Sequence, residues 1–217
     1  MYEELNQLYD ISVIQNKFNQ EKFYKELISS GELETTVITI KKDTFFSQSL
    51  DLGEQICFLQ DGIACTYFQN VPTRLISKSQ FLNVELIIGM EEMDIEAFTP
   101  CTLLVFNREE IMEHLFSMQE GVFFLFCYEK EKKNFLFNRV NMLHQKGYTR
   151  LLQLMEELAE ECGTEFGNDC ILPKCLTIKR LAALSSLSTH TVSLFHEKMI
   201  HEKIIQKEAG RIILLNK

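Results

Sequence analysis

The chain has 217 residues, enough for one large domain or two modest ones, and 46% of them are hydrophobic. Its net charge of −9 argues against nucleic acid as a partner of the whole surface, and no apolar run approaches the roughly eighteen residues of a membrane span. Met1–Leu5 lacks the cationic segment of a secretory signal, and the seven cysteines form no C-x-x-C pair. We therefore expect a cytoplasmic protein with reduced thiols and no membrane partner.

The first half of the sequence predicts short β-strands after a helical amino-terminal stretch. Glu34–Lys42 is rich in Thr and Ile. The runs 55–60 and 63–68 flank Asp61-Gly62, a pair that tolerates the positive φ angles of a type I′ hairpin turn. Further β-prone runs are 74–76, 84–88 and 97–106. Strands at this spacing predict an antiparallel sandwich, roll or barrel.

The pattern changes to helices after residue 106. Asn107 is a predicted N-cap, with Glu110 three residues later as in a capping box. From Gly121 to Gln145 no Pro or internal Gly interrupts a predicted helix of about 37 Å. Its two ends are apolar and its middle is charged, so we expect it to pack against the strand domain, a second copy of the chain, or both. Its charged middle is either a solvated turn or a set of interhelical ion pairs.

The segment after this long helix predicts one more helix and a loop. The helix begins at Gly147 and places Leu151, Leu154, Met155 and Leu158 at helical spacing. The segment Gly163–Asp169 is polar, contains two Gly and is predicted to be a loop.

Residues 176–195 have the spacing of a helix-turn-helix. Thr177 and Ser188 stand where the two helices need N-caps. The residues predicted to pack in the corner between the helices are Ala182, Leu187, Val192 and Phe195. Two apolar runs then flank Ala209-Gly210 and predict a closing hairpin, or wing. In such a motif the second helix, here called the reader helix, enters the DNA major groove.

The charge distribution agrees with this motif. Residues 173–217 contain eight Lys or Arg and three Glu, which gives +5, whereas the other 172 residues contain 14 basic and 28 acidic side chains, which gives −14. Such asymmetry indicates that only the carboxyl-terminal part meets a polyanion, although basic residues on a solvated surface give the same count.

Together these features resemble the Crp/Fnr family of transcription regulators. Thr149–Leu154 is similar to the family's helix after the dimer helix, Leu176–Ser193 to its reader and Lys203–Ile212 to its wing. The resemblance implies an α+β fold with an antiparallel β-roll of the cyclic-nucleotide-binding type, a double-stranded β-helix. It implies three domains: a sensor roll at 1–107, a short helix and long dimerisation helix at 108–145, and a winged helix-turn-helix at 146–217.

The predicted reader departs from the family. Members usually place an Arg six residues after the reader's opening Ser, where it contacts guanine. Here that position is Leu194, and the residues after Ser188 are Thr189 and His190. Thr189, His190 and Ser193 could form hydrogen bonds with bases, and Leu194 could contact a thymine methyl. Ser186 stands at a turn position where Gly is common and would be strained by about 1 kcal/mol at positive φ.

The predicted ligand side departs further. Cyclic-nucleotide binders of the family hold the phosphate with a Gly-Glu turn and a nearby Arg. Here Glu85 is not preceded by the Gly of that turn, and no Arg lies between Arg74 and Arg108. We therefore expect no cAMP binding. The first cysteine is Cys57, so no amino-terminal cysteine cluster is present for an iron–sulfur centre.

The sequence therefore predicts a homodimeric regulator that binds a pseudo-palindromic site on double-stranded DNA. By resemblance we expect an activator that contacts RNA polymerase, and an unidentified small-molecule effector is an open alternative. The expected dimer contacts are Phe124, Tyr128, Phe135 and Met142. The expected DNA contacts are Thr177, Lys179, Ser188, Thr189, His190, Thr191, Ser193, Leu194, Lys198 and Arg211.

Two other classes stay open. One is a winged-helix protein-interaction module that has lost sequence-specific DNA binding, which the missing reader Arg suggests. The other is a sensor whose small-molecule ligand fits a Phe-rich roll or its junction with the dimer helix. An enzyme is disfavoured, since no phosphate loop, nucleophile elbow or carboxylate pair is found. His196 and His201 are five apart, too far round a helix for a zinc pair, and Cys170 and Cys175 have no second pair. Cys57 and Cys65 are expected to lie diagonally across the predicted hairpin, as two buried thiols or as a redox pair.

Overall fold

A computed structural model describes residues 19–31, 33–77, 79–88, 93–118 and 121–215. The described residues form two compact units. One comprises the residues up to Gly62 and those from Ser79 to Leu136, and the other comprises Ile63–Ser77 and the residues from Phe137 onward. The segment Met1–Leu5, which was expected not to be a secretory signal, lies outside the described residues.

The described helices and strands confirm the predicted α+β class with antiparallel sheets. The helices are α1 (Gln20–Ser30), α2 (Arg108–Ser117), α3 (Val122–Leu143), α4 (Gly147–Cys162), α5 (Ile178–Ser185) and α6 (Thr189–His201). The strands are β1 (Thr35–Ile40), β2 (Gln55–Asp61), β3 (Ala64–Phe68), β4 (Val71–Ile76), β5 (Gln80–Leu82), β6 (Asp94–Ala97), β7 (Cys101–Asn107), β8 (Thr164–Phe166), β9 (Asp169–Ile171), β10 (Ile205–Glu208) and β11 (Arg211–Leu214).

The first unit is built on an antiparallel sheet of order β1-β7-β2-β5. Four consecutive residues of β2, Ile56–Leu59, are buried, as expected of a strand that is covered on both faces. Its aromatic core includes Phe23 of α1, which stacks on Phe124 of α3 with ring centroids 4.1 Å apart. The side chain of Asn107 accepts hydrogen bonds from the backbone N–H groups of Glu109 and Glu110, which confirms the predicted cap of α2.

The predicted hairpin at Asp61-Gly62 is wrong. Strand β2 pairs with β5 and β7, whereas β3 pairs with β4. Gly62 has a φ of 109°, and a Cβ there would lie 2.5 Å from the carbonyl oxygen of Pro100, so a close backbone approach explains this glycine. The diagonal pairing of thiols is wrong for the same reason, because Cys57 lies opposite Leu82 and Val105 while Cys65 lies opposite Leu75. Both thiols are buried, as expected.

Three other local predictions also need correction. The run 84–88 forms a 3₁₀ helix rather than a strand. The run 97–106 is divided between β6 and β7, because Phe98–Pro100 separate the two strands. Gly163–Asp169 is not a plain loop, since β8 and β9 form a short hairpin there that extends the wing.

Besides β3, β4 and the end of α3, the second unit contains helices α4, α5 and α6 and an antiparallel sheet of order β10-β11-β9-β8. Strands β10 and β11 form the predicted wing hairpin, with positive φ at both Ala209 and Gly210 in its turn. The predicted apolar face of α4 is buried, namely Leu151, Leu154, Met155 and Leu158. Among the described helices, none has a stretch both long and apolar enough to cross a membrane.

Candidate nucleic-acid interface

Helices α5 and α6 form the predicted helix-turn-helix, with both predicted caps in place. The Thr177 hydroxyl accepts a hydrogen bond from the N–H of Arg180 at 3.3 Å, and the Ser188 hydroxyl accepts one from the N–H of Thr191 at 3.0 Å. Each cap satisfies one N–H that the first turn of its helix cannot pair internally. The first turn of α6 therefore begins at a fixed residue.

The turn between the helices is left-handed at Ser186. Its φ is 53° and its ψ is 42°, so this turn position, where the family commonly has Gly, does adopt a positive φ here. The N–H of Leu187 donates to the carbonyl of Ala182 at 3.0 Å and closes α5. A serine in this conformation is strained by about 1 kcal/mol relative to glycine.

The corner between the helices is packed as predicted. Ala182 and Val192 are buried, and Leu187 and Phe195 are half-buried. A Cβ on Gly147 would lie 3.1 Å from the Phe195 ring and 3.3 Å from Leu187. The start of α4 therefore packs directly against the corner and favours a residue without a side chain.

Helix α6 presents a stripe of exposed residues on the face opposite its buried one. Val192, His196 and Met199 point into the fold. The exposed residues of α6 are Thr189, His190, Leu194, Glu197, Lys198, Ile200 and His201, with Ser193 half-buried beside them. The sequence predicts all of these as DNA contacts except Glu197, Ile200 and His201, of which helical spacing from His190 could have found Glu197 and His201. Thr191 lies outside the stripe, and its hydroxyl is hydrogen-bonded to Ser188 at 2.7 Å.

Lys198 is held near the carboxyl end of α6. Its ammonium lies 3.7 Å from a Glu202 carboxylate oxygen and 4.5 Å from the centroid of the Tyr148 ring. The Tyr148 hydroxyl donates a hydrogen bond to Glu202. Burial and the neighbouring Glu202 carboxylate raise the pKa of Tyr148 to about 12. To contact a phosphate, the Lys198 ammonium must either break its ion pair with Glu202 or bind the phosphate and Glu202 together.

The other predicted DNA contacts are exposed in the same unit. Thr177 and Lys179 lie at the start of α5, and Arg211 begins β11 of the wing. Lys174 and Lys207 are exposed as well. Exposed cations and hydroxyls on a reader, its supporting helix and a wing are the groups that commonly bind DNA phosphates.

Two arginines of the second unit were not predicted as functional. Arg150 of α4 donates to the carbonyls of Leu143 at 2.9 Å, Gln145 at 3.0 Å and Ser185 at 3.3 Å. Arg139 of α3 donates to the carbonyl of Leu184. Burial lowers the pKa of Arg139. These guanidinium groups satisfy the carboxyl ends of α3 and α5, and an Arg within the apolar run 135–143 was the sequence signal for Arg139.

Helix α3 shows two different faces. Phe124 and Met142, expected as dimer contacts, are buried within the chain, so neither side chain offers a surface to a partner. Tyr128 and Phe135 are half-buried, and Tyr128 donates a hydrogen bond to Glu85 at 2.9 Å. The exposed apolar side chains of this helix are Val122, Phe126, Leu136, Phe137, Val140 and Leu143.

Within the described residues, the histidines and cysteines form no recognisable metal centre. In the described part of the chain, no three His, Cys, Asp or Glu side chains are arranged to hold a metal ion. His196 is buried and His201 is exposed, so the two point away from each other. Burial, with a smaller contribution from neighbouring groups that include Cys175 and Cys170, raises the pKa of Cys162 to about 12.

Solved structures with this fold include a transcriptional regulator of the CRP/FNR family. FixK2 from Bradyrhizobium japonicum superposes with a TM-score of 0.72 at 13% identity, covering 85% of this chain and 94% of that one. A CRP/FNR-family transcriptional regulator from Thermus thermophilus superposes with a TM-score of 0.64 at 18% identity, covering 83% of this chain and 94% of that one. A cyclic nucleotide-binding domain containing protein from Listeria monocytogenes superposes with a TM-score of 0.67 at 17% identity, covering 89% of this chain and 94% of that one.

The sequence itself matches no protein-family model and no curated protein. The structural likeness confirms the predicted fold, a cyclic-nucleotide-binding-type roll combined with a winged helix-turn-helix.

Proposed function

We propose that this chain is a sequence-specific transcription regulator that binds double-stranded DNA as a homodimer. The observation that carries the proposal is the polar exposed stripe of α6, on a helix whose start is fixed by the Ser188 cap and whose other face is buried. The +5 charge of residues 173–217 supports it, because DNA binding requires cations around such a helix. The proposed segments remain 1–107 for sensing or support, 108–145 for dimerisation and 146–217 for DNA binding.

In this proposal the exposed residues divide into two groups. Thr189, His190, Ser193 and Leu194 lie in the first two turns of α6 and contact base edges. Lys179, Lys198, Arg211 and the Thr177 hydroxyl contact phosphates and set the register. Ser188 and Thr191 contribute by fixing the amino-terminal end of α6, whose free N–H groups also favour a phosphate.

Dimerisation is proposed along the exposed side of α3. Val122, Phe126, Leu136, Val140 and Leu143 fall on one stripe, and Glu129 and Lys133 complete its alternating spacing of four and three residues. That spacing is the heptad spacing of a two-stranded coiled coil. The proposed contacts therefore move from Phe124 and Met142 to these exposed residues. Two copies related by a two-fold axis then require half-sites about one helical turn apart.

The residues around Glu85 do not fit a cyclic phosphate. The Glu85 side chain is buried, and its carboxylate accepts hydrogen bonds from the Tyr128 hydroxyl at 2.9 Å and the Lys132 ammonium at 3.2 Å. No Arg lies between Arg74 and Arg108 to hold a phosphate in its place. We therefore propose regulation without cAMP. Isothermal titration that gave micromolar cAMP affinity would contradict this.

Activation through RNA polymerase, a cytoplasmic location and the absence of enzymatic activity are proposed by analogy with regulators of this fold. A reporter gene placed behind the selected site tests the sign of regulation. Transcription that falls when the protein is expressed would make the chain a repressor.

The decisive experiment is selection of genomic fragments by the purified full chain at about 0.1 M salt, followed by sequencing. We expect enrichment of a two-fold-symmetric site. A folded dimer that enriches no fragment and also lacks affinity for any duplex at low salt would instead indicate a protein-interaction module.

The phosphate assignment has its own test. Lys198→Ala should weaken binding to the selected site and to unrelated duplexes by the same factor, since a phosphate contact carries no base information. Binding titrations with both duplexes measure this. A change in the selected sequence would instead show that Lys198 contacts bases.

A further inference from the structure

The outward face of α6 carries one large apolar side chain near its beginning. Leu194 is 52% exposed, and its neighbours on the stripe are polar. Single exposed leucines are common on protein surfaces, so exposure alone decides nothing. The position of Leu194 is more informative than its exposure, because it is the sixth residue of α6 and lies in the second turn from the capped end.

The buried face of α6 fixes the direction of Leu194. Residues in a helix are 100° apart, so Leu194 points about 160° away from both Val192 and His196 and about 140° away from Met199, all three of which are buried. The Ser188 cap prevents the first turn from unwinding to turn this side chain inward. A groove that receives the start of α6 therefore receives Leu194.

The chemistry of a leucine restricts what it can recognise in the major groove. It can neither donate to guanine O6 and N7 nor accept from the amino groups of cytosine and adenine. The one apolar group that base pairs present in the major groove is the C5-methyl of thymine. A leucine opposite a C·G pair would remove the cytosine amino group from water without a partner, which is unfavourable.

We infer that Leu194 is a specificity-determining residue that reads a thymine methyl group in each half-site. The inference rests on the proposed function and specifies its DNA target as a site with thymine where Leu194 meets the groove. The other residues of the stripe agree, because Thr189, His190 and Ser193 are neutral or weakly basic and α6 contains no Arg to select guanine.

The test removes the methyl group and nothing else. In the selected duplex each thymine is replaced in turn by deoxyuridine, and the affinity of the full chain is measured by fluorescence anisotropy. At one thymine position in each half-site, the substitution should lower the affinity of the protein for the duplex about fourfold, the effect expected for one buried methyl group. Substitution in both half-sites together should lower it about fifteenfold. A 5-methylcytosine·guanine pair at that position should bind better than cytosine·guanine.

Three variants make the assignment residue-specific. Leu194→Ala should bind thymine and uracil duplexes equally at that position, whereas Lys179→Ala should weaken both and keep their ratio. Leu194→Arg should change the selected base from thymine to guanine. Leu194 and Lys179 are exposed, so both alanine variants should unfold at the wild-type temperature.

The outcomes separate this inference from the proposed function. If the protein selects a symmetric site but no uridine substitution matters, or if Leu194→Ala keeps the uridine penalty, the methyl assignment is wrong and the regulator stands. If the folded protein binds no duplex even at low salt, both are wrong.

Discussion

Helices α6 and α3 each leave one face outside the fold, and the two faces differ in chemistry. The exposed stripe of α6 consists mainly of hydroxyl, imidazole and charged groups, with Leu194 in its second turn and the less exposed Ile200 near its end. The outward stripe of α3 is apolar at both ends, at Val122 and Phe126 and again at Leu136, Val140 and Leu143, and its middle has the half-buried Glu129 and the exposed Lys133. A face of the first kind matches the donors and acceptors of a DNA groove, and a face of the second kind matches a copy of itself.

The inner faces of the same helices differ as well. Helix α3 is fixed inside by the buried Glu85, which binds Tyr128 and Lys132. Helix α6 is fixed inside by apolar packing around His196, whose Nε2 atom is buried without a hydrogen-bond partner. The long helix therefore adds a buried ion pair to the aromatic packing of Phe124, whereas the reader helix is held by packing that includes one titratable group.

The largest expected effect comes from placing a charge in the apolar stripe of α3. Val140→Glu would bury an unpaired carboxylate in each half of the proposed interface and should weaken the dimer at least about 100-fold. Sedimentation velocity over a range of concentrations measures this. Asn138→Glu is the matched control, because Asn138 is exposed about 160° away on the same helix. If Val140→Glu sediments as the wild type does, the interface lies elsewhere.

The next largest effect should come from Arg150, which joins the end of α3 to the helix-turn-helix. Arg150→Ala leaves the carbonyls of Leu143, Gln145 and Ser185 without this donor, and should lower the free energy of unfolding by about 2–4 kcal/mol. The free energy of unfolding of Arg150→Lys should lie between those of the wild type and Arg150→Ala, because an ammonium group cannot reach all three carbonyls. Urea unfolding measures both, with the exposed Lys146→Ala as the control. Equal stability of Arg150→Ala and wild type would contradict the assigned bonds.

The winged helix could be predicted from sequence because its determinants are local. Thr177, Ser188 and Ser186 act through the backbone of their own or the next turn, and the corner residues recur at helical spacing. The wing hairpin likewise depends on a two-residue turn. These features need no knowledge of distant pairing.

The roll could not be predicted to the same depth, because its strands pair across long separations. Asp61-Gly62 has the composition of a hairpin turn, yet Leu59 lies opposite Leu103 and Gln80 instead of a neighbour in sequence. The proposed dimer face of α3 could not be predicted for a related reason. Phe124 and Val122 are equally apolar, and only the packing of Phe124 against Phe23 and Phe81 shows which of them faces inward.

A smaller effect is expected at the inner face of α3. Glu85→Gln removes the counter-charge of Lys132 and keeps an acceptor for Tyr128, so it should lower the free energy of unfolding by about 2 kcal/mol. Urea unfolding measures the loss. Glu131→Gln is the control, because Glu131 is exposed and lies next to Lys132 on α3. It should change the free energy of unfolding by less than about 0.5 kcal/mol. If the two variants are equally stable, the Glu85 ion pair does not fix α3.

The smallest effect should be a pH dependence at the inner face of α6. Burial lowers the pKa of His196 below its ordinary 6.5, nearby Lys207 lowers it further, and Glu197 opposes them. The unfolded chain therefore binds this proton more readily than the folded one, so the stabilisation from neutral His196 is complete above about pH 6.5 and is lost as the pH falls through the folded-state pKa. Urea unfolding at pH 7.5 and 5.5 should show a steeper loss for the wild type than for His196→Gln. His201→Gln, at an exposed position of the same helix, should keep the wild-type slope. Equal slopes for wild type and His196→Gln would mean that the buried imidazole does not couple protonation to the packing of α6.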